Sequence, residues 1–194
     1  MFIELTDHLR CPADHEESYL VLLPDEVRER SVRAGRLGCP VCGRTYTLVD
    51  GVLDLGGGAE PPETTLLGAE ALTALIGLGG QGGWLVLVGR PAAGWREVAA
   101  RNRGVGLVAV NPPATVVDEP GISVLRSAAL PLKSRSMRGV VLGAPYGADP
   151  AWVREAVRVV LPGLRVAGEG AVPDPGTLDL MAAADGAWVG TPRR

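Results

Sequence analysis

An apolar run of strand length, Trp84-Leu-Val-Leu-Val88, breaks at Gly89 into a loop and then into a segment of helical pattern from Gly94. A buried strand that feeds a helix through a glycine is how doubly wound α/β folds begin, with a ligand crevice at the strand's carboxyl end. The pattern then repeats: strands are predicted over 84–88, 105–110, 122–125, 139–142 and 164–167, and helices over 94–102 and 150–160. Strands alternating with helices call for a mostly parallel sheet covered on both faces. The tail predicts a last helix over 177–183 and an edge strand over 187–190. Ahead of the junction, Thr64 or Thr65 is placed to cap a helix that buries Leu67, Ala71, Leu75 and Leu78 and stops at Gly79-Gly80. The run Gly77-Leu-Gly-Gly-Gln-Gly-Gly83 lacks the lysine and following Ser or Thr of a phosphate loop and precedes its strand, so it reads as a turn.

The chain has 3 cysteines, and their spacing governs the first part. Leu9-Arg-Cys11-Pro-Ala-Asp14-His15 is a turn between extended pieces, with a strand over 18–23 after it; Leu37-Gly-Cys39-Pro-Val-Cys42-Gly43 is a second turn, with a strand over 45–49 and the turn Asp50-Gly51 after it. Two such knuckles make a zinc ribbon, in which proline stiffens the turn and backbone amides point at the thiolates. Cys11, Cys39 and Cys42 supply three ligands. The fourth comes from the first turn, either Asp14 at the two-residue spacing or His15 one place later. His15 is favoured, because imidazole is the commoner partner of three thiolates at a closed site. A redox pair at Cys39 and Cys42 would open a helix, and nothing helical follows Cys42. Residues 24–33, mostly charged, read as a helical turn or a hairpin excursion with a solvated face.

Composition excludes some functions. Up to Glu60 there are 6 Lys and Arg against 11 Asp and Glu, so that part carries −5 of a total of −3 and the remainder carries +2. Without a basic surface or aromatic residues interleaved with basic ones, nucleic acid is not an expected partner. The start has no basic, apolar signal pattern and no stretch reaches eighteen apolar residues, so the expectation is a cytoplasmic protein with no membrane span, in a compartment that keeps thiols reduced. Gly56-Gly-Gly-Ala-Glu-Pro-Pro-Glu63 breaks the composition, which divides the chain into a ribbon module over 1–55, a linker over 56–63 and an α/β domain over 64–194.

Leu9-Arg-Cys-Pro, Leu37-Gly-Cys-Pro-Val-Cys-Gly-Arg-Thr-Tyr and Val49-Asp-Gly-Val-Leu-Asp-Leu together resemble the small zinc-ribbon family that activates tRNA and protein methyltransferases. That family usually carries a second cysteine in the first knuckle, where this chain has Asp14 and His15. Residues 66–189 resemble the Rossmann-like domain of S-adenosylmethionine-dependent methyltransferases. The resemblance is carried by the order of elements, by Glu155-Ala-Val-Arg-Val-Val-Leu-Pro-Gly163 and by Leu130-Pro131 ahead of Val140-Val-Leu142.

The second resemblance implies an adenosylmethionine pocket after Val88, and the departures fall on it. The family's Gly-x-Gly-x-Gly reads Gly89-Arg-Pro-Ala-Ala93, with Gly94 one place late; the acid for the ribose hydroxyls is replaced by Asn111; the Asp for the adenine amino group aligns with Arg126, and the Asp at the fourth strand's start with Arg138. Proline removes an amide donor and the added β-carbons take up room. Gly89, Gly94 and Asn111 are therefore the residues left to touch a cofactor, and adenosylmethionine binding is not expected. Arg90, Arg126 and Arg138 read as solvated, the sharper alternative being that they converge above the sheet on an anion. Tyr146 has no base beside it and the second domain contains no histidine, so no catalytic residue is assigned. The expectation is a zinc-binding, non-catalytic scaffold that binds a protein, a methyltransferase being the partner the resemblance offers. The alternative is an active methyltransferase with an unusual cofactor loop.

Overall fold

The β-branched runs form the middle of a sheet that is buried on both faces, and alternate residues go to opposite sides. Val86, Val88, Val108, Val110, Val140, Leu142 and Val166 face one core, while Leu85, Leu87, Leu107, Ala109, Val141 and Ala167 face the other. The computed structural model describes residues 1–58, 61, 62, 64–174, 176 and 178–193. A 3-10 turn over Ile3–His8 leads to β1 (Val21–Arg28), β2 (Ser31–Gly38), β3 (Thr45–Val49) and β4 (Val52–Asp54). There follow α1 (Ala69–Ile76), β5 (Trp84–Val88), a 3-10 turn over Arg90–Gly94, α2 (Trp95–Arg101), β6 (Gly106–Val110), β7 (Ile122–Arg126) and β8 (Met137–Leu142). A 3-10 turn over Tyr146–Ala148, α3 (Pro150–Val159), β9 (Val160–Glu169), β10 (Leu178–Ala184) and β11 (Ala187–Pro192) complete the chain.

Among the described residues, all eleven strands belong to one sheet, in the order β1-β2-β3-β4-β7-β6-β5-β8-β9-β11-β10. The central five are parallel, in the doubly wound order that reverses between β5 and β8. β11 runs antiparallel to β9, and β10 to β11. The fold is thus α/β and Rossmann-like with a β-rich amino-terminal part, as the alternation requires. α1 and α2 bury Leu72, Ile76, Trp95 and Val98 on one face. On the other, α3 buries Trp152, Val153, Ala156 and Val159 in a core shared with Leu5, Leu9, Leu37, Leu48 and Leu53. Asp149 caps α3 by accepting from the Ala151 amide at 2.8 Å, and Pro150 at the first position needs no partner for a missing donor.

The ribbon strands join this sheet directly. β4 pairs in parallel with β7, and Leu9 bridges Leu132. Arg10 donates from its amide to the Pro131 carbonyl at 3.0 Å and from its guanidinium to Glu155 at 2.8 Å. Residues 24–33, read as a turn or a hairpin, are the tip of the β1–β2 hairpin, not a helical turn.

Two sequence expectations are corrected. α1 spans Ala69–Ile76 and is capped by Gly77, whose φ of 58° is the left-handed conformation glycine tolerates, so its buried face is Ala69, Leu72 and Ile76; of the residues expected to be buried, Leu67 is buried just ahead of the helix, Ala71 is exposed and Leu75 and Leu78 are only half-buried. The expected cap is otherwise engaged, because the Thr65 hydroxyl donates to Glu169 and Gly68 takes the cap position. The helix expected over 177–183 is β10, which makes β10 and not β11 the edge strand; Thr177 itself lies outside the described residues. The turn Asp185-Gly186, with φ of 50° and 78°, returns the chain as a hairpin, and that pairing overrides the helix propensity of Leu, Met and Ala.

Candidate metal centre

Two turns bring four donors together. The first knuckle is held by the Cys11 amide donating to Ser18 at 2.9 Å, and the second by the Cys39 amide donating to Arg44 at 2.9 Å and the Gly43 amide to Cys39 at 3.0 Å. Gly43 has a φ of 68°, which closes that turn. One ligand atom each from Cys11, His15, Cys39 and Cys42 lies within 4.8 Å of the other three. Asp14, the alternative fourth ligand, is exposed and not part of this group.

The spacing suits a small tetrahedral ion. With Zn–S of about 2.3 Å and Zn–N of about 2.0 Å, a tetrahedron sets two sulfurs about 3.8 Å apart and sulfur about 3.5 Å from nitrogen. The Cys11 and Cys42 sulfurs are 3.8 Å apart, and the Cys39 sulfur is 3.4 Å from His15 Nε2. His15 Nδ1 donates to the Glu16 carbonyl at 2.6 Å, which leaves the Nε2 lone pair free for a metal. The residues fit zinc, and three thiols with an imidazole are one of the donor sets it takes at structural sites.

The surroundings prepare the thiols unequally. Burial opposes ionisation of Cys39, but the amides of Cys42 and Val41 and the neighbouring thiols hold it at about 6. Burial pushes Cys11 up, against the Tyr46 hydroxyl 3.2 Å from its sulfur. Tyr46 is in turn pushed up by its own burial and by Cys11. The Glu16 carbonyl and the Cys42 thiol raise His15. Tyr46 was not singled out from the sequence; the alternation that buries Tyr46 and Leu48 in β3 is the signal that could have found it.

At the carboxyl ends of β5 and β8 the chain packs on itself. Pro61 is buried over Gly89, and a β-carbon on Gly89 would stand 3.0 Å from the Tyr146 ring and 3.6 Å from Pro61. Pro91 covers Gly143, Gly57 lies against Ala128 and Gly58 against Asn111. The Asn111 amide is buried and spent on the chain: Nδ2 donates to the Ser127 carbonyl at 2.7 Å, and Oδ1 accepts from the Ser127 amide at 2.9 Å. Gly94 stands apart from Gly89 and Asn111, at the amino end of α2 facing Ala69 of α1. A cleft of about 280 Å³ remains beside this packing, lined by Gly58, Ala128, Pro145, Tyr146, Asp149 and Trp152. Glu169, a residue sequence reasoning passed over, is 2% exposed and fastens the segment ahead of α1. Its carboxylate accepts from the amides of Leu66 and Leu67 at 2.8 Å and of Ala144 at 2.9 Å.

The three arginines do not converge. Arg126 ends β7 beside Asp54, and Arg90 opens the turn after β5. Arg138 lies near the start of β8, at the opposite end of the sheet, and donates to the carbonyls of Gly79, Gly80 and Gly82. It holds the glycine-rich turn in shape.

No family model and no curated protein sequence matches the chain. Among solved structures, it is similar to a geranyl diphosphate methyltransferase in complex with GPP and sinefungin, at 17% identity and a TM-score of 0.44 over 52% of this chain and 42% of that one. It is similar to the complex between the Haloferax volcanii Trm112 methyltransferase activator and the putative methyltransferase, at 22% identity and a TM-score of 0.40 over 52% of this chain and 50% of that one. A putative hemolysin from Streptococcus thermophilus aligns at 12% identity and a TM-score of 0.41, over 77% of this chain and 75% of that one. The chain spans half the length or less of the first two.

Proposed function

We propose that the chain is a structural zinc protein whose Rossmann-like unit binds no adenosylmethionine and serves as a scaffold for another protein in a reducing, cytoplasmic setting. The observation that carries this reading is the filled crevice: Pro61 and Tyr146 cover Gly89, and both polar atoms of the Asn111 side chain are engaged with Ser127. The remaining cleft, at about 280 Å³, falls just below the roughly 300–1,000 Å³ that small-molecule sites occupy. Zinc, held by Cys11, His15, Cys39 and Cys42, supplies folding energy at a closed four-ligand site and no reaction.

Calorimetry with adenosylmethionine on zinc-loaded protein tests the scaffold reading. No heat of binding is expected up to high micromolar ligand, since losing two or three contacts of roughly 1–3 kcal/mol each takes a micromolar ligand to millimolar or weaker. Micromolar binding would overturn the reading and favour an active methyltransferase.

A further inference from the structure

The two knuckles do not serve their cysteines alike. In the second, the amides of Val41 and Cys42 both donate to the Cys39 sulfur, and the Gly43 amide closes the turn on the Cys39 carbonyl at 3.0 Å. In the first, the ligand stands one residue later, at His15, and the longer turn spends its amides differently. The Ala13 amide donates to the Cys11 sulfur, while the His15 amide turns to the Ala13 carbonyl at 3.0 Å. Cys11 is left one backbone donor short of Cys39. Three thiolates around one zinc ion carry an excess of negative charge, which donors to the sulfurs offset. Cys11 is 2% exposed, so bulk water does not supply the missing donor.

Tyr46 reaches this sulfur from β3. Alternation in that strand turns Thr45 and Thr47 outward and Tyr46 and Leu48 inward, and the register with β2 sets Tyr46 opposite Leu37, two residues ahead of Cys39. The hydroxyl lies 3.2 Å from the Cys11 sulfur, and among the described residues it has no other hydrogen-bond partner. A metal-bound thiolate has no proton to give, so between the two the hydroxyl donates. We infer that Tyr46 is a positioning residue of the metal centre: its hydroxyl stands in for the amide that the longer first knuckle withdraws, and it sets how tightly zinc is held through Cys11. The inference rests on the zinc reading of the four donors and is independent of the filled crevice.

Cobalt(II) substituted for zinc in the full chain tests it, because cobalt reports its thiolates through sulfur-to-metal charge-transfer absorption. A hydrogen bond lowers the energy of the sulfur lone pair. Tyr46→Phe keeps the ring and removes only the hydroxyl, so its charge-transfer band is expected at longer wavelength than that of the wild type, with the d–d bands still those of a tetrahedral site. Competition with a chromogenic chelator should show the variant holding zinc roughly tenfold more weakly, the lower end of what loss of such a partner costs. Leu48→Val, which loosens the same buried face two residues on, should lower the melting temperature but leave the band and the affinity as they are. An unmoved band or an unchanged affinity in Tyr46→Phe, or the same displacement in Leu48→Val, would overturn the inference and leave the zinc reading standing. A wild-type chain that takes up neither cobalt nor zinc would overturn both.

Discussion

Two of the four candidate metal donors sit in the core and two at its margin. Cys11 and Cys39 are buried, whereas His15 is half-buried and Cys42 is exposed. Removing a core donor therefore costs packing as well as a ligand, and removing a marginal one costs the ligand alone. Cys39→Ala is expected to lose metal and to unfold the amino-terminal part, since an incomplete site forfeits most of a binding energy of about 10 kcal/mol or more. His15→Ala is expected to keep the fold with zinc present in excess but to lose zinc faster than wild type to a chromogenic chelator, while Asp14→Ala behaves as wild type. The reverse ranking would move the fourth ligand to Asp14. The thiols were legible in the sequence because turn chemistry fixes their spacing. Tyr46 and Glu169 were not: one tyrosine in a strand, or one glutamate at a strand's end, leaves no periodic mark, and their partners lie far off in sequence, Cys11 35 residues away and the Ala144 amide 25.

The parallel strands and the helices that follow them declared themselves through long runs of one period. α1 and β10 did not, for a shared reason: each carries more apolar surface than the core takes up, so periodicity alone could not say which face goes inside. α1 has one apolar row in Ala69, Leu72 and Ile76 and another in Ala71 and Leu75, and the Thr65 bond to Glu169 helps decide between them. α3 has one buried face, and on its other side Glu155 takes bonds from Arg158 at 2.8 and 2.9 Å and from Arg10 at 2.8 Å. Burial works to raise Glu155, yet these two guanidinium groups hold it below its usual 4.5. A carboxylate depressed in the folded state stabilises the fold above its unfolded value and ceases to do so as pH falls through its folded value. Glu155→Gln should therefore cost about 1 kcal/mol at pH 7 by urea denaturation, with the difference from wild type closing as pH falls below 4.5. A difference that persisted unchanged at pH 3 would assign the loss to packing and not to charge.

At the scale of the whole molecule, the glycine-rich break at 56–63 predicts two units, while one sheet runs from β1 to β10 and one core reaches from Leu5 to Trp188. Leu37, Leu48 and Leu53 of the ribbon share that core with Val110, Leu125, Leu132 and Trp152. The tie is polar as well: Arg10 reaches Glu155, the Ser134 amide donates to Glu17 at 3.0 Å, and Arg33 pairs with Asp118 at 2.8 Å. A ribbon of this size cannot bury enough apolar surface to hold its own fold without metal. Its inner face is also the cover over part of the second unit's sheet. Loss of the metal should therefore be felt at Trp188, in β11 beyond the far side of the parallel strands, where the indole donates to the Gly147 carbonyl at 3.2 Å. Zinc-loaded protein is expected to melt in one transition seen alike by far-ultraviolet circular dichroism and tryptophan emission, and chelation to lower the midpoint of both signals together. If chelation instead splits the melt and leaves the tryptophan transition at its original temperature, ribbon and Rossmann-like unit fold independently and the shared core is not cooperative.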